Sequence, residues 1–108
     1  MKKTFVKGFL YLQIILSPLF VFAGTKYLDV RTPQEYTAEH VQGALNIDVT
    51  SPQFDSQVKK LSKEDHYFVY CRSGKRAGIA VGKMKKMGFK NLENVGGLQD
   101  AEKLAHKK

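Results

Sequence analysis

The sequence predicts an α/β domain whose mostly parallel sheet carries helices on both faces. Short apolar runs alternate with segments whose apolar residues recur at helical spacing, and no repeat or low-complexity segment interrupts them. One apolar run, Tyr67–Tyr70, leads into the only cysteine, Cys71. A glycine-containing cationic loop and a helical pattern follow. Because open α/β sheets place ligands at the carboxyl ends of their strands, this junction is the predicted centre of function.

The first predicted strand and helix follow each other directly. The strand is Lys26–Val30, and the helix begins with a capping box. Thr32 can cap the helix, Pro33 suits its first position, and Glu35 stands three residues after Thr32. The sequence predicts that this helix ends near Glu39.

The remaining elements continue the alternation of strands and helices. His40–Ile47 predicts a turn at Gly43 and a second brief strand, and Ser51 with Pro52 opens a second helix. The later elements are the strand Tyr67–Tyr70, a helix with its apolar face at Ala77, Ala80, Val81, Met84 and Met87, a strand at Leu92–Val95, a loop at Gly96–Gly97 and a closing helix at Leu98–Ala105.

The first 23 residues have the layout of a secretory signal peptide. Three lysines precede the apolar run Gly8–Phe22, and cleavage is predicted after Ala23. An uncleaved membrane anchor is the alternative, but the run is shorter than the ~20 residues of a spanning helix and contains Pro18. We therefore expect a single domain at residues 24–108, exported to the periplasm or secreted, without a stable membrane anchor.

Charge and cysteine content restrict the classes of function. Without the three lysines of the N-terminal segment, 15 Lys and Arg residues face 10 Asp and Glu residues, a net charge of +5. This balance could suit nucleic acid or an anionic surface. Most lysines lie at predicted helix ends and tails, however, so we expect a solvated surface and no nucleic-acid partner. A single cysteine excludes an internal disulfide, and the core alone must stabilise the domain.

The loop after Cys71 predicts a stabilised thiolate. Its backbone N–H groups can point inward and form an anion-binding concavity, which the positive end of the following helix also faces. Both effects lower the pKa of a thiol, so we expect a thiolate exposed at the loop centre. Gly74 permits an unusual backbone angle in the loop. The residues assigned to this loop are Arg72, Ser73, Gly74, Lys75 and Arg76.

Two further charged residues belong to the predicted site, and the sequence lacks the patterns of a metal or nucleotide site. Asp29 and Arg31 lie at the end of the first strand and either orient or charge-balance the loop, or form a structural ion pair with Glu35 or the sheet edge. The three histidines and one cysteine show no metal-ligand spacing, and no nucleotide-binding fingerprint is present. We expect no metal and no cofactor.

Three segments resemble the single-domain rhodaneses, the thiosulfate sulfurtransferases, and among them the small exported type. Leu28–Arg31 with Glu35 and Tyr36 is similar to the family's first strand and helix. Glu39–Ile47 is similar to its motif of histidine, aliphatic, x, Gly-Ala-x-Asn-Ile, and Tyr70–Ala77 to its active-site loop; the closing Asn94–Leu98 also fits.

This resemblance implies a central five-stranded sheet and a covalent mechanism. Cys71 would take the outer sulfur of thiosulfate, or of another sulfane-sulfur donor, as a persulfide and pass it to cyanide or a thiol. The covalent persulfide would take the place of a cofactor.

Two alternatives remain. A module that carries persulfide or binds a partner without turnover would need the same cysteine. The related phosphatases place an arginine six positions after the cysteine, whereas this chain has Ala77 there and Arg76 one position earlier.

Overall fold

The computed structural model describes residues 24–107, so the predicted signal peptide and its cleavage site lie outside the described residues. Strands and helices alternate, as the sequence predicts. In chain order they are β1 (Thr25–Asp29), α1 (Pro33–Ala38), β2 (Leu45–Asn46), α2 (Phe54–Val58), β3 (His66–Cys71), α3 (Lys75–Lys86), β4 (Asn91–Gly97) and α4 (Leu98–Ala105). None of the helices within residues 24–107 combines the length and apolar character needed to cross a membrane.

All strand pairs in the sheet are parallel, in the order β2-β1-β3-β4. Residues 24–107 thus contribute four strands, and the expectation of five is wrong for this part of the chain. The fifth strand came only from the family resemblance, because the sequence itself contains four strand patterns. After β2, the chain continues beside the β1 edge through two backbone hydrogen bonds, from Ile47 to Asp29 and from Val49 to Val30, without forming a further strand.

Both faces of the sheet are covered. β3 contributes alternate side chains, because successive residues of a strand point to opposite faces. Tyr67, Val69 and Cys71 join one buried cluster with residues of α2 and α3, including Phe54 and Met84. On the other face, the buried residues Val41, Ala44, Tyr70 and Ala101 pack with the partly buried Tyr27, Tyr36, Val95, Leu98 and Ala105, which include side chains of α1 and α4.

The predicted capping box at α1 is confirmed. The Thr32 hydroxyl accepts a hydrogen bond from the Glu35 backbone N–H at 3.2 Å, and the Glu35 carboxylate accepts one from the Thr32 N–H at 3.1 Å. Such reciprocal bonds satisfy donors that a helix leaves unpaired at its start. The box places Glu35 on the first turn of α1 with a fixed orientation.

The predicted loop at Gly96–Gly97 is instead the end of β4. Gly96 pairs with Tyr70 and Gly97 with Cys71, after a shift in register that leaves Val95 without a partner on β3. Gly96 adopts a φ of +95°, in the left-handed region that glycine tolerates. Pairing resumes after this bulge, so β4 reaches the level of Cys71 and its last residues lie beside the active-site loop.

Candidate active site

The Cys71 sulfur lies at the end of β3, enclosed by the loop that follows it. Its Sγ accepts hydrogen bonds from the backbone N–H of Gly74 at 2.9 Å and of Ala77 at 3.3 Å. The inward-pointing N–H groups predicted from the sequence are therefore present. The residue is only 1% exposed, however, so the prediction of an exposed sulfur is wrong. Because successive side chains of β3 point to opposite faces, the Cys71 side chain lies on the same face as Tyr67 and Val69. It is buried there in the apolar layer under α2 and α3.

Two opposing effects act on the pKa of Cys71. Burial is the largest single effect and raises the pKa, because a low-dielectric environment disfavours the charged form. The backbone N–H groups of Ala77 and Gly74, which bond to Sγ, lower it, and the backbone N–H groups of Ser73 and Arg76 add to this effect. Together these bonds outweigh burial, and the pKa lies below its ordinary value. The loop thus favours a thiolate, although the sulfur is enclosed.

The backbone of the loop depends on Gly74. This residue caps the start of α3 with a φ of +102°, a conformation that side chains resist. Its N–H is one of the two that bond to Sγ. The side chains of Arg72, Ser73 and Lys75 are exposed, so these three loop residues present their polar groups to solvent.

Arg76 is paired with a carboxylate and is not a free loop cation. Its guanidinium donates to both carboxylate oxygens of Glu35, at 2.8 and 3.1 Å. The Arg76 hydrogen bond is the main cause that lowers the pKa of Glu35 to about 2, assisted by bonds from Thr32. The sequence indicates the helix-capping role of Glu35 but gives no sign of this ion pair, whose partners are 41 positions apart.

Asp29 and Arg31 pair with each other. Asp29 is fully buried and Arg31 is 6% exposed, and the guanidinium makes a two-pronged contact whose shortest distance is 2.7 Å. The guanidinium also donates to the Glu39 backbone carbonyl at 2.6 Å. Of the two sequence interpretations, this geometry matches a structural ion pair, with Asp29 as its carboxylate. Breaking a buried pair leaves an uncompensated charge, which is strongly destabilising.

A cavity of about 480 Å³ opens beside the loop, between α1 and the start of α4. It brings Arg31 and Arg72, both predicted from the sequence, together with carboxylates that the sequence analysis did not assign to the site. Its lining residues are Arg31, Glu35, Ala38, Glu39, Arg72, Gly97, Leu98, Gln99 and Asp100. Because Arg31 is paired with Asp29, Arg72 is the lining cation that makes no ion pair within residues 24–107.

Gly97 allows β4 to approach the loop closely. A Cβ at this position would collide with the carbonyl oxygen of Arg72. The Gly97 N–H donates to the Asp100 carboxylate at 2.9 Å, which also secures the start of α4. Within residues 24–107, no group of three or more His, Cys, Asp or Glu side chains is placed to hold a metal ion.

A parallel α/β sheet with a cysteine cradled by backbone N–H groups at a strand end agrees with a rhodanese-like domain. The family model of the rhodanese-like domain matches residues 22–103, and the chain belongs to this family. The small single-domain layout also agrees with a solved structure, a rhodanese with anions from Escherichia coli. It has a TM-score of 0.60 and 38% identity, and the match covers 70% of this chain and 89% of that one.

Two relatives indicate which members of the family the chain is similar to. The thiosulfate sulfurtransferase PspE of Escherichia coli is 41% identical over 89% of this chain and 91% of its own length. The proposed sulfur carrier protein YrkF of Bacillus subtilis is 35% identical to this chain. The match covers 63% of this chain and 36% of YrkF.

Proposed function

We propose that the protein is a thiosulfate sulfurtransferase in which Cys71 carries the transferred sulfur. The observation that supports this most directly is the pair of backbone N–H groups, from Gly74 and Ala77, bonded to Sγ. They stabilise negative charge on the sulfur without an adjacent base, as a nucleophilic thiolate needs. The similarity to PspE over nearly the whole length of both chains supports the same substrate.

In the first step the Cys71 thiolate attacks the outer sulfur of thiosulfate. A bond forms between Sγ and that sulfur, the sulfur–sulfur bond of thiosulfate breaks, and its electron pair leaves with sulfite. The product is a Cys71 persulfide anion, and no proton or external electron is required.

In the second step an acceptor removes the outer sulfur. Cyanide attacks it, the persulfide bond breaks, and thiocyanate leaves while its electron pair returns to Sγ as thiolate. A thiolate acceptor reacts in the same way and leaves as its own persulfide. Transfer through a covalent intermediate predicts ping-pong kinetics.

The charges around the loop favour an anionic donor. Arg72 and Lys75 have exposed side chains, and neither forms an ion pair within the described residues. They can attract thiosulfate, whereas Arg76 and Arg31 already neutralise carboxylates. A dianion gains more from this arrangement than a neutral donor does.

The test is an intact-mass measurement followed by an acceptor assay. After incubation with thiosulfate, the wild-type chain should gain one sulfur, about 32 Da, and Cys71→Ser should gain none. Addition of cyanide should remove the extra mass and release thiocyanate over many turnovers. A wild-type chain that gains no sulfur would overturn the proposal.

A persulfide carrier is the second candidate, favoured by the burial of Cys71 and by the similarity to YrkF. Because Cys71 is 1% exposed, its sulfur is shielded from small-molecule acceptors in solution. A carrier would gain the same mass but would release thiocyanate slowly, because free cyanide would not be its acceptor. Hydrolysis of p-nitrophenyl phosphate faster than consumption of thiosulfate would instead favour a phosphatase.

We also propose that residues 1–23 direct export and that the domain acts in the periplasm or after secretion. The supporting observation is the sequence pattern of three lysines, an apolar run and small residues before Gly24. Expression of the full chain, cell fractionation and intact mass should locate an exported protein that starts at Gly24. A full-length chain that stays with the membrane fraction would contradict this.

A further inference from the structure

The end of β4 supports the active-site loop at two points. The collision that a Cβ at Gly97 would cause shows how closely this strand approaches the Arg72 carbonyl. Three residues earlier, the side-chain amide of Asn94 donates to the Gly74 carbonyl oxygen at 2.9 Å. The strand therefore contacts the loop both where it leaves Cys71 and where it enters α3.

The Asn94 side chain is itself held in place. Its Oδ1 accepts a hydrogen bond from the Gly96 N–H at 2.9 Å, within the bulge of β4. This contact orients the amide so that its Nδ2 faces Gly74. The bulge thus has a consequence for the site, because it presents a preoriented donor to the loop.

Gly74 is the residue whose conformation matters most for the thiolate. Its carbonyl oxygen also accepts from the Gly78 N–H at 2.9 Å, within the first turn of α3. The hydrogen bond from Asn94 holds the same carbonyl oxygen from outside the helix. With the carbonyl held from two sides, the left-handed φ of +102° is maintained and the Gly74 N–H stays 2.9 Å from Sγ.

We propose that Asn94 is a positioning residue for sulfur transfer, which holds Gly74 in the conformation that directs its N–H at the Cys71 sulfur. The inference rests on the proposed function, because it concerns the same thiolate. Asn94 touches neither Sγ nor any reacting atom and acts through Gly74 alone. Beyond the resemblance of Asn94–Leu98 to the rhodaneses, the sequence offers no signal for this role, since an asparagine near two glycines is typical of a turn.

The test compares Asn94→Ala and Asn94→Asp with a matched control. Asn94→Ala removes the donor without adding charge, and Asn94→Asp keeps the acceptor for Gly96 but places oxygen against the Gly74 carbonyl. The control is Asn91→Asp on the same strand, where the amide contacts the Glu64 carbonyl at 3.4 Å, away from the loop. Asn91→Asp adds to β4 the same negative charge as Asn94→Asp.

The measured quantity is the pH midpoint of Cys71 alkylation by iodoacetamide in the native protein. Loss of the Asn94 tie should raise this midpoint by about half to one pH unit, because a weakened hydrogen bond to Sγ stabilises the thiolate less. Below the midpoint, kcat/KM for thiosulfate should fall about three- to tenfold and recover as the pH rises. The control should keep the wild-type midpoint.

Other charges near the sulfur are unchanged in Asn94→Ala, which makes its midpoint interpretable. Arg76 interacts with Cys71 through its charge, and Glu35 faces that guanidinium. The charged side chains of the loop and of the cavity beside it are Arg72, Lys75, Arg76, Arg31, Glu35, Glu39 and Asp100, with Asp29 paired to Arg31. Asn94→Asp and Asn91→Asp each add a negative charge. Comparison of their midpoints separates the effect of that charge from the effect of losing the Asn94 hydrogen bond.

The outcomes distinguish this inference from the proposed function. A raised midpoint in both Asn94 variants, with persulfide still formed at high pH, supports the positioning role. An unchanged midpoint in Asn94→Ala, with wild-type persulfide formation, overturns it and leaves the sulfurtransferase proposal intact. Wild-type protein that never gains sulfur overturns the proposed function, and the alkylation midpoints still decide whether Asn94 positions the loop. If Asn94→Ala does not fold, Asn94→Ser provides the same neutral comparison.

Discussion

Glu35 connects the first helix to the active-site loop, and its substitution tests that connection quantitatively. The ion pair with Arg76, assisted by hydrogen bonds from Thr32, lowers the pKa of Glu35 from 4.5 to about 2. A group whose folded pKa is lowered adds stability above its unfolded pKa, and this stability is lost as the pH falls through the folded value. The stabilising contribution of Glu35 is therefore complete above about pH 4.5 and disappears toward about pH 2.

The size of the effect follows from the same shift. The lowering of the pKa from 4.5 to about 2 corresponds to about 3 kcal/mol. The two side chains, each 25% exposed, are screened in part by solvent, which reduces this figure. We expect Glu35→Gln to lower the free energy of unfolding by about 1–3 kcal/mol at neutral pH. The difference from wild type should shrink steadily as the pH falls below about 4.5.

Urea unfolding at a series of pH values between about 7 and 2.5 measures this difference. Other carboxylates titrate in both proteins, so the difference between the two curves isolates Glu35. Glu93→Gln is the matched control, because the Glu93 side chain is exposed and makes no hydrogen bond or ion pair within residues 24–107. Parallel curves for wild type and Glu35→Gln, with a constant gap at every pH, would refute the reasoning.

Three further substitutions test the loop and the core. Gly97→Ala should abolish sulfur transfer and lower the urea midpoint, because its Cβ would collide with the Arg72 carbonyl; a normal midpoint and normal activity would contradict that contact. Arg76→Ala should lower kcat/KM for thiosulfate about tenfold, because it leaves the Glu35 carboxylate without its partner beside the loop, where it would repel an anionic donor. Lys83→Ala should have less than a twofold effect, since Lys83 forms only an exposed pair at 3.6 Å; equal steady-state effects would count against a role for Arg76. Met84→Ala should cost about 2–5 kcal/mol in urea unfolding, since Met84 is fully buried on the inner face of α3, and a loss below about 1 kcal/mol would be inconsistent with that packing.

The fold was predictable because its signals are local. Thr32 and Glu35 form a capping box within one turn, and apolar spacing marks the buried face of α3 at Ala77, Ala80 and Met84. The strand before Cys71 is evident from its composition. The bulge in β4 was missed, because two consecutive glycines have the same appearance in a loop and in the end of a strand.

The site was predictable only in part. The loop N–H groups around Cys71 follow from a strand, a short loop and a helix in succession. The burial of the sulfur does not follow from the sequence, because it depends on how closely α2 and α3 pack over the end of β3. The cationic sequence of the loop also overstates its free charge, since Arg76 is neutralised by a residue 41 positions away.

The sequence by itself therefore determined the order of strands and helices, the reactive cysteine and the resemblance to the rhodaneses. These properties depend on neighbouring residues and on the periodicity of the chain. Tertiary structure decided which loop cations stay unpaired, how deeply Cys71 is enclosed and that Asn94 contacts Gly74. Such contacts join residues distant along the chain, and they arise only when the parallel sheet brings the carboxyl ends of its strands to one edge.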